Sequence, residues 1–233
     1  MKRVIFSLGH FTIEVNGHIF PPLIPILSSN LGLTYALAGM LVGIYNLFST
    51  SLQLFFGFLI DKRPNLPLAP LGIMISSISI SFFGWANSYT LLVLLAGLAG
   101  LGSAMFHPHA TSTVSSGRVS SIGLFSSLGT FGVALGPLLI LYFYQILGIK
   151  GTIFLLPLGL IALFMFNLKP KDSIYKPLIN IRKFLPLIFL DFIRALVYLS
   201  LVTFLPSYGV FLKMKLESST FLLFFMLLGG SLG

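Results

Sequence analysis

Cysteine is absent from the 233 residues, so disulfides, thiolate metal sites and cysteine nucleophiles are excluded. Charge is scarce: only 8% of the chain is Asp, Glu, Lys or Arg, against about 25% in soluble domains. Acids are the scarcest, 5 against 14 basic residues. No GxxxxGK[ST] phosphate loop, nucleophile elbow or HExxH pattern occurs, which leaves no ATP hydrolysis by a P-loop and no recognisable enzyme motif. No cofactor and no metal site are expected from the sequence.

Apolar length is what the chain has instead. It is 56% hydrophobic, with a mean hydropathy of +1.02, and apolar runs of about 18 residues or more recur, the length that spans a hydrocarbon core of about 30 Å. The alternating segments of about 10 residues that mark a membrane β-barrel are missing, so helices are the spanning structure. The predicted segments are 4 to 29, 36 to 60, 68 to 86, 89 to 114, 121 to 146, 152 to 168 and 184 to 208, with an eighth starting near Ser219. Turn-forming residues separate them, among them the run DKRPNLP at 61 to 67 and SSGRVSS at 115 to 121.

A net charge of +9 in a soluble protein would suggest a nucleic-acid partner. Here the basic residues lie in short loops between apolar runs, and their role is orientation. With a cytoplasmic N-terminus, ten of the 14 Lys and Arg fall inside, only Lys150, Lys213 and Lys215 outside, and Arg194 within the seventh segment. That distribution obeys the positive-inside rule. The expected location is the plasma or inner membrane, multi-pass. The opening Met1-Lys2-Arg3 before an apolar run has a signal peptide as its alternative reading. His10 and Glu14 interrupt the would-be core, and the run continues through Pro21, Pro22 and Pro25 without a small-residue cleavage site, which favours a retained first helix.

The longest polar stretch, residues 169 to 183 (KPKDSIYKPLINIRK), reads as a cytoplasmic linker. The expected organisation is therefore all-α integral membrane: a six-helix transmembrane bundle over 1 to 168, the linker, and over 184 to 233 the start of a second bundle. The last segment offers at most about 15 residues where about 20 span a bilayer, so an incomplete chain is expected.

An ionisable side chain in mid-membrane costs at least about 2.5 to 3.5 kcal/mol on insertion scales, so each one calls for a reason. His10, Glu14 and His18 are spaced i, i+4, i+8 and form a polar stripe on one helix face. Glu14 falls near the middle of its segment, the depth at which transporters bind coupling ions and substrate. Two readings stand: a proton and substrate site, with imidazoles exchanging protons with the carboxyl, or polar groups that glue the helix to a neighbour. His18, nearest the outer surface, is the member most exposed to water.

Phe106-His107-Pro108-His109 supplies two more imidazoles beside a helix breaker. Pro108 has no N–H, so it frees the carbonyl of Ala104 and kinks the helix. Because i and i+2 lie about 200° apart, His107 and His109 do not share one pocket without help from the kink, and His107 is favoured. Asp191 and Arg194, spaced i, i+3 in the seventh segment, are read either as an ion pair with each other or as cavity residues. Glycines inside segments, among them Gly39, Gly43, Gly97, Gly100 and Gly102, suggest close helix packing.

Three stretches together resemble the major facilitator superfamily, and especially its fosmidomycin-resistance-like branch: 57 to 64 (GFLIDKRP), 100 to 108 (GLGSAMFHP) and 129 to 137 (GTFGVALGP). The first resembles the superfamily's loop motif after helix two, which implies a gating role for Gly57, Asp61, Lys62 and Arg63; the family's later Gly-Arg-Lys part is replaced by Pro64 to Pro67. The third resembles the fifth-helix motif of antiporters and implies export through Gly129, Gly132, Gly136 and Pro137. The Phe-His-Pro triplet is the most specific of the three for the branch. The resemblance implies a twelve-helix, proton-coupled transporter of a small molecule, monomeric when complete and not acting on nucleic acid. Glu14 would bind the proton, with His10, His18, His107, Asp191 and Arg194 lining the cavity, and the 233 residues alone would not transport.

Two other classes remain: a seven-helix receptor, and a membrane fragment or accessory subunit that transports nothing. A retinal protein requires a lysine in the last full helix, and residues 184 to 208 contain none.

Overall fold

The computed structural model describes residues 2 to 115, 119 to 166, 168 and 181 to 232. These form α1 (Lys2–Gly17), α2 (Phe20–Leu31), α3 (Tyr35–Lys62), α4 (Leu68–Phe83), α5 (Tyr89–Ser115), α6 (Val119–Leu147), a 3-10 helix (Gly148–Phe164), α7 (Ile181–Phe211) and α8 (Leu216–Leu232). No strand occurs among the described residues. Residues 169 to 180 of the expected linker, and Arg118, lie outside them, and positions 181 to 183 of that linker already belong to α7.

The first segment is two helices rather than one. Pro21 and Pro22 lack the N–H groups that would bond the carbonyls of Gly17 and His18, so α1 stops there. The last bonds of α1 run from His18 N–H to the carbonyls of Glu14 and Val15, and α2 restarts with proline in its first turn, where a missing donor is harmless. Gly32 then closes α2 in the left-handed conformation, at φ 64°.

The sixth segment also differs from expectation. The chain reverses at Gly148, φ +58°, and Phe143 of α6 meets Phe154 beyond the turn at 5.3 Å between ring centroids. Gly148–Phe164 is then wound as a 3-10 helix. At about 2.0 Å per residue those 17 residues reach roughly 34 Å, where an α-helix of the same length would reach about 25 Å.

Among the described residues, four helical stretches are long and apolar enough to cross a membrane: Tyr35–Lys62, Tyr89–Ser115, Val119–Phe164, which includes the 3-10 helix, and Leu185–Phe211. The sequence suggested seven. The break in α1–α2 and the 16 residues of α4 account for the shortfall, together with the counting of α6 and the 3-10 helix as one stretch.

Helix α1 lies inside the assembly, against α4, α5, α6 and the 3-10 helix, and Phe6, Ile13 and Val15 on it are fully buried. Small residues allow the close approaches. A methyl group at Gly72 of α4 would strike the carbonyl of Gly102 of α5, and one at Gly102 the carbonyl of Gly72. Gly43, by contrast, has open space beside it. Helices α7 and α8 pack on α2 and α6, with Val202, Leu223 and Leu227 closing over Ala134.

Candidate functional site

Burying α1 on nearly every side leaves its polar stripe facing protein. Across it lies α6, whose glycines at 129, 132 and 136 recur on one face. A Cβ at Gly129 would run into the His10 ring. One at Gly132 would sit 2.6 Å from the Phe11 carbonyl and 3.1 Å from Glu14 Cβ, and one at Gly136 would lie 2.8 Å from the Val15 carbonyl and 3.3 Å from His18 Cβ. The glycine motif and the His-Glu-His stripe are thus two sides of one contact, and side chains on α6 would force α1 away.

The fourth member arrives from α5. His107 Nε2 stands 3.1 Å from Glu14 Oε1, and His10 Nε2 stands 3.2 Å from the same oxygen. His18 Nδ1 approaches the other oxygen, Oε2, at 3.5 Å. The His10 and His107 rings meet edge-on at 5.3 Å, and His10 stacks on Phe125 at 4.0 Å. The four side chains keep between 14% and 25% of their surface open.

His10 and His107 each have the second nitrogen committed to the backbone, and in His18 the nitrogen near Glu14 Oε2 is itself the one bonded to the backbone. His10 Nδ1 donates to the Phe125 carbonyl at 2.8 Å, His107 Nδ1 to the Ser103 carbonyl at 2.9 Å, and His18 Nδ1 to the Glu14 carbonyl at 2.9 Å. A carbonyl oxygen only accepts, so Nδ1 carries the hydrogen in all three. In neutral His10 and His107 the nitrogen facing Glu14 therefore presents a lone pair. Two lone pairs aimed at a carboxylate oxygen repel it unless a cation, a proton or a metal ion, lies between.

His109 turns away from this cluster. It is 2% exposed, its Nδ1 accepts the N–H of Ala69 at 3.2 Å, and its ring lies against Phe6. That bond completes the first turn of α4: Leu68 N–H bonds the Leu66 carbonyl, Leu71 N–H the Pro67 carbonyl, and Pro70 has no donor. Pro108 between the two histidines does not end α5, which runs helical through it.

The remaining expected residues stand elsewhere. Arg194 donates to Asp191 at 2.9 Å through Nε, with both side chains about two-thirds exposed, and the structure does not bring them to Glu14. Asp61, Lys62 and Arg63 end α3, where Lys62 Nζ sits 4.3 Å over the Phe58 ring and Arg63 N–H caps the Leu59 carbonyl. A Cβ on Gly57 would be 3.9 Å from Pro108. Sequence reasoning passed over Ser103, whose carbonyl and hydroxyl both address His107 Nδ1 and whose hydroxyl also meets Ser49 at 3.0 Å. Its spacing of four residues before His107 was the available signal.

The family model described as Major Facilitator Superfamily matches residues 6 to 233. The chain belongs to the Major Facilitator Superfamily. It is a multi-pass membrane protein of that superfamily, all-helical over its described residues. Similar curated superfamily relatives include the fosmidomycin resistance protein of Escherichia coli (strain K12), 31% identical over 137 residues, covering 57% of this chain and 34% of that protein. The uncharacterized MFS-type transporter YfnC of Bacillus subtilis (strain 168) is 28% identical over 167 residues, 70% of this chain and 41% of the relative. The quinolone resistance protein NorA of Staphylococcus aureus is 26% identical over 144 residues, 59% and 37%. The chain thus spans less than half the length of these relatives.

Proposed function

We propose that this chain is the N-terminal part of a proton-coupled secondary transporter that exports a small molecule. In this reading residues 1 to 168 make the first six-helix bundle of a twelve-helix protein, monomeric when complete. The cytoplasmic linker follows, and residues 184 to 233 begin the second bundle. The N-terminus is cytoplasmic, as the distribution of Lys and Arg favours.

The observation that carries the proposal is the single carboxyl of Glu14 facing the Nε2 atoms of both His10 and His107. A proton between these groups removes the repulsion of their lone pairs, and its loss restores it. Occupancy of the site is thereby tied to the separation of α1 from α5. In alternating access, protonation on one side and release on the other drive a single exchange cycle, and rocking around a fixed central site supplies the movement. The glycine face of α6 against the stripe supports a role for Gly129, Gly132 and Gly136 in that movement. Pro137 closes the same motif, and Gly57, Asp61, Lys62 and Arg63 serve as the cytoplasmic gate. Two of the relatives carry resistance in their names, which favours export.

The test is substrate-driven proton movement by the full-length protein in liposomes, with Glu14→Gln beside the wild type. Loss of proton movement with retained substrate binding is the expected result. Undiminished coupling in the variant removes Glu14 from the mechanism and overturns the proposal.

A further inference from the structure

The Glu14 cluster has the donor set of a metal site as well as a proton site. Each ligating atom comes from a different helix position: Nε2 of His10, a carboxylate oxygen of Glu14 and Nε2 of His107, all within 4.8 Å of one another. We infer that Glu14, His10 and His107 bind a divalent first-row transition-metal ion of the Zn2+ type. The inference uses the side chains given a coupling role above but does not rest on the transport reading.

Three features argue for it. Ligand atoms on a tetrahedral ion with bonds of 2.0 to 2.1 Å are separated by about 3.3 Å. The two Glu14–His separations, 3.1 and 3.2 Å, are already close to that edge. Next, both imidazoles have the outer contact that metal-ligating histidines require. Nδ1–H of His10 is held by the Phe125 carbonyl and Nδ1–H of His107 by the Ser103 carbonyl, which fixes the tautomer with Nε2 free to coordinate. Finally, two nitrogens and one carboxylate oxygen with a fourth position open suit Zn2+, Co2+ or Ni2+. Mg2+ and Ca2+ prefer oxygen ligands throughout.

The sequence analysis expected no metal here, and the third ligand, His107, lies 93 positions beyond Glu14. Bound metal would tie α1 to α5 at this point and exclude the proton from the same atoms.

The test uses the full-length protein in detergent with its affinity tag removed. Co2+ is titrated at neutral pH and followed by its visible absorption, and bound Zn2+ is counted by elemental analysis after gel filtration. One ion per chain with a tetrahedral Co2+ spectrum is expected. Binding weaker by at least about 100-fold, the upper end for losing an outer-shell partner, is expected in Glu14→Gln and in His107→Ala, with Gly43→Ala, which has open space beside it, unchanged. A readout that needs no variant is histidine modification by diethyl pyrocarbonate, mapped by peptide mass, where Zn2+ protects His10 and His107. Absence of stoichiometric binding, binding that survives both substitutions, or modification unaffected by Zn2+ overturns the inference. Proton coupling measured in the presence of a chelator, set beside the Co2+ titration, separates the two readings: coupling in a protein that binds no Co2+ refutes this inference alone, and Co2+ binding in a protein without coupling refutes the transport mechanism alone.

Discussion

His107 Nε2 stands 3.1 Å from Glu14 Oε1, although 93 positions of chain separate the two residues. The contact joins α1 to α5 at the one carboxyl of the α1 stripe. If the two groups act as a unit, their substitutions are not additive. His107→Ala and Glu14→Gln each lower substrate-driven proton flux in the full-length protein, and the double variant is no worse than Glu14→Gln. A double variant whose loss is the product of the two single losses would show that the residues act separately.

The contact between Gly132 and α1 predicts a steric effect. A side chain there meets the Phe11 carbonyl and Glu14 Cβ, and overpacking costs about 1 to 3 kcal/mol. Gly132→Val lowers the melting temperature in detergent by several degrees and reduces transport. Gly43→Ala, with nothing within 4 Å of the added Cβ, does neither. Equal stability of the two variants would refute the close contact.

Asp191 and Arg194 hold each other on an exposed helix face, with Nη2 of Arg194 2.7 Å from Asp191 Oδ1. Removing one partner leaves a lone charge on an apolar helix, at a cost of about 2.5 to 3.5 kcal/mol on insertion scales. Arg194→Leu alone therefore lowers the amount of protein inserted in the membrane, and Asp191→Leu with Arg194→Leu restores it. Failure of the second change to rescue the first would mean that Asp191 has another partner.

His109 predicts a local rather than a functional effect. Its Nδ1 accepts the Ala69 N–H at the start of α4, and loss of a helix cap costs about 0.5 to 2 kcal/mol. In His109→Ala the Ala69 amide exchanges hydrogen faster while proton coupling persists. Unchanged exchange at Ala69 would remove the capping role.

Much of the helix plan was legible because a bilayer imposes length and apolarity on each segment, and loop residues mark the ends. The one-sided placement of His10, Glu14 and His18 followed from helical period, and so did the opposite facing of His107 and His109. The division of the first segment was less legible. A hydropathy run passes smoothly over Pro21 and Pro22, whose missing N–H groups stop α1 at Gly17. The 3-10 winding of Gly148–Phe164 left no mark in the apolar pattern, since a run of hydrophobic residues fits either helix. For Asp191 and Arg194 the i, i+3 spacing made a mutual pair legible, and the structure shows the two side chains bonded to each other at 2.9 Å.

The sequence by itself determined that this chain lives in a membrane, that it is helical, and that one face of its first helix carries ionisable groups, because those properties depend on composition and local period. Only the tertiary structure decided that α6 glycines cover that face, that His107 completes the cluster and that His109 caps α4. It also decided which nitrogen of each imidazole faces Glu14, through the carbonyls of Phe125 and Ser103. Every residue except in its packing offers the same carbonyl, so no pattern of side chains announces which one will hold a histidine.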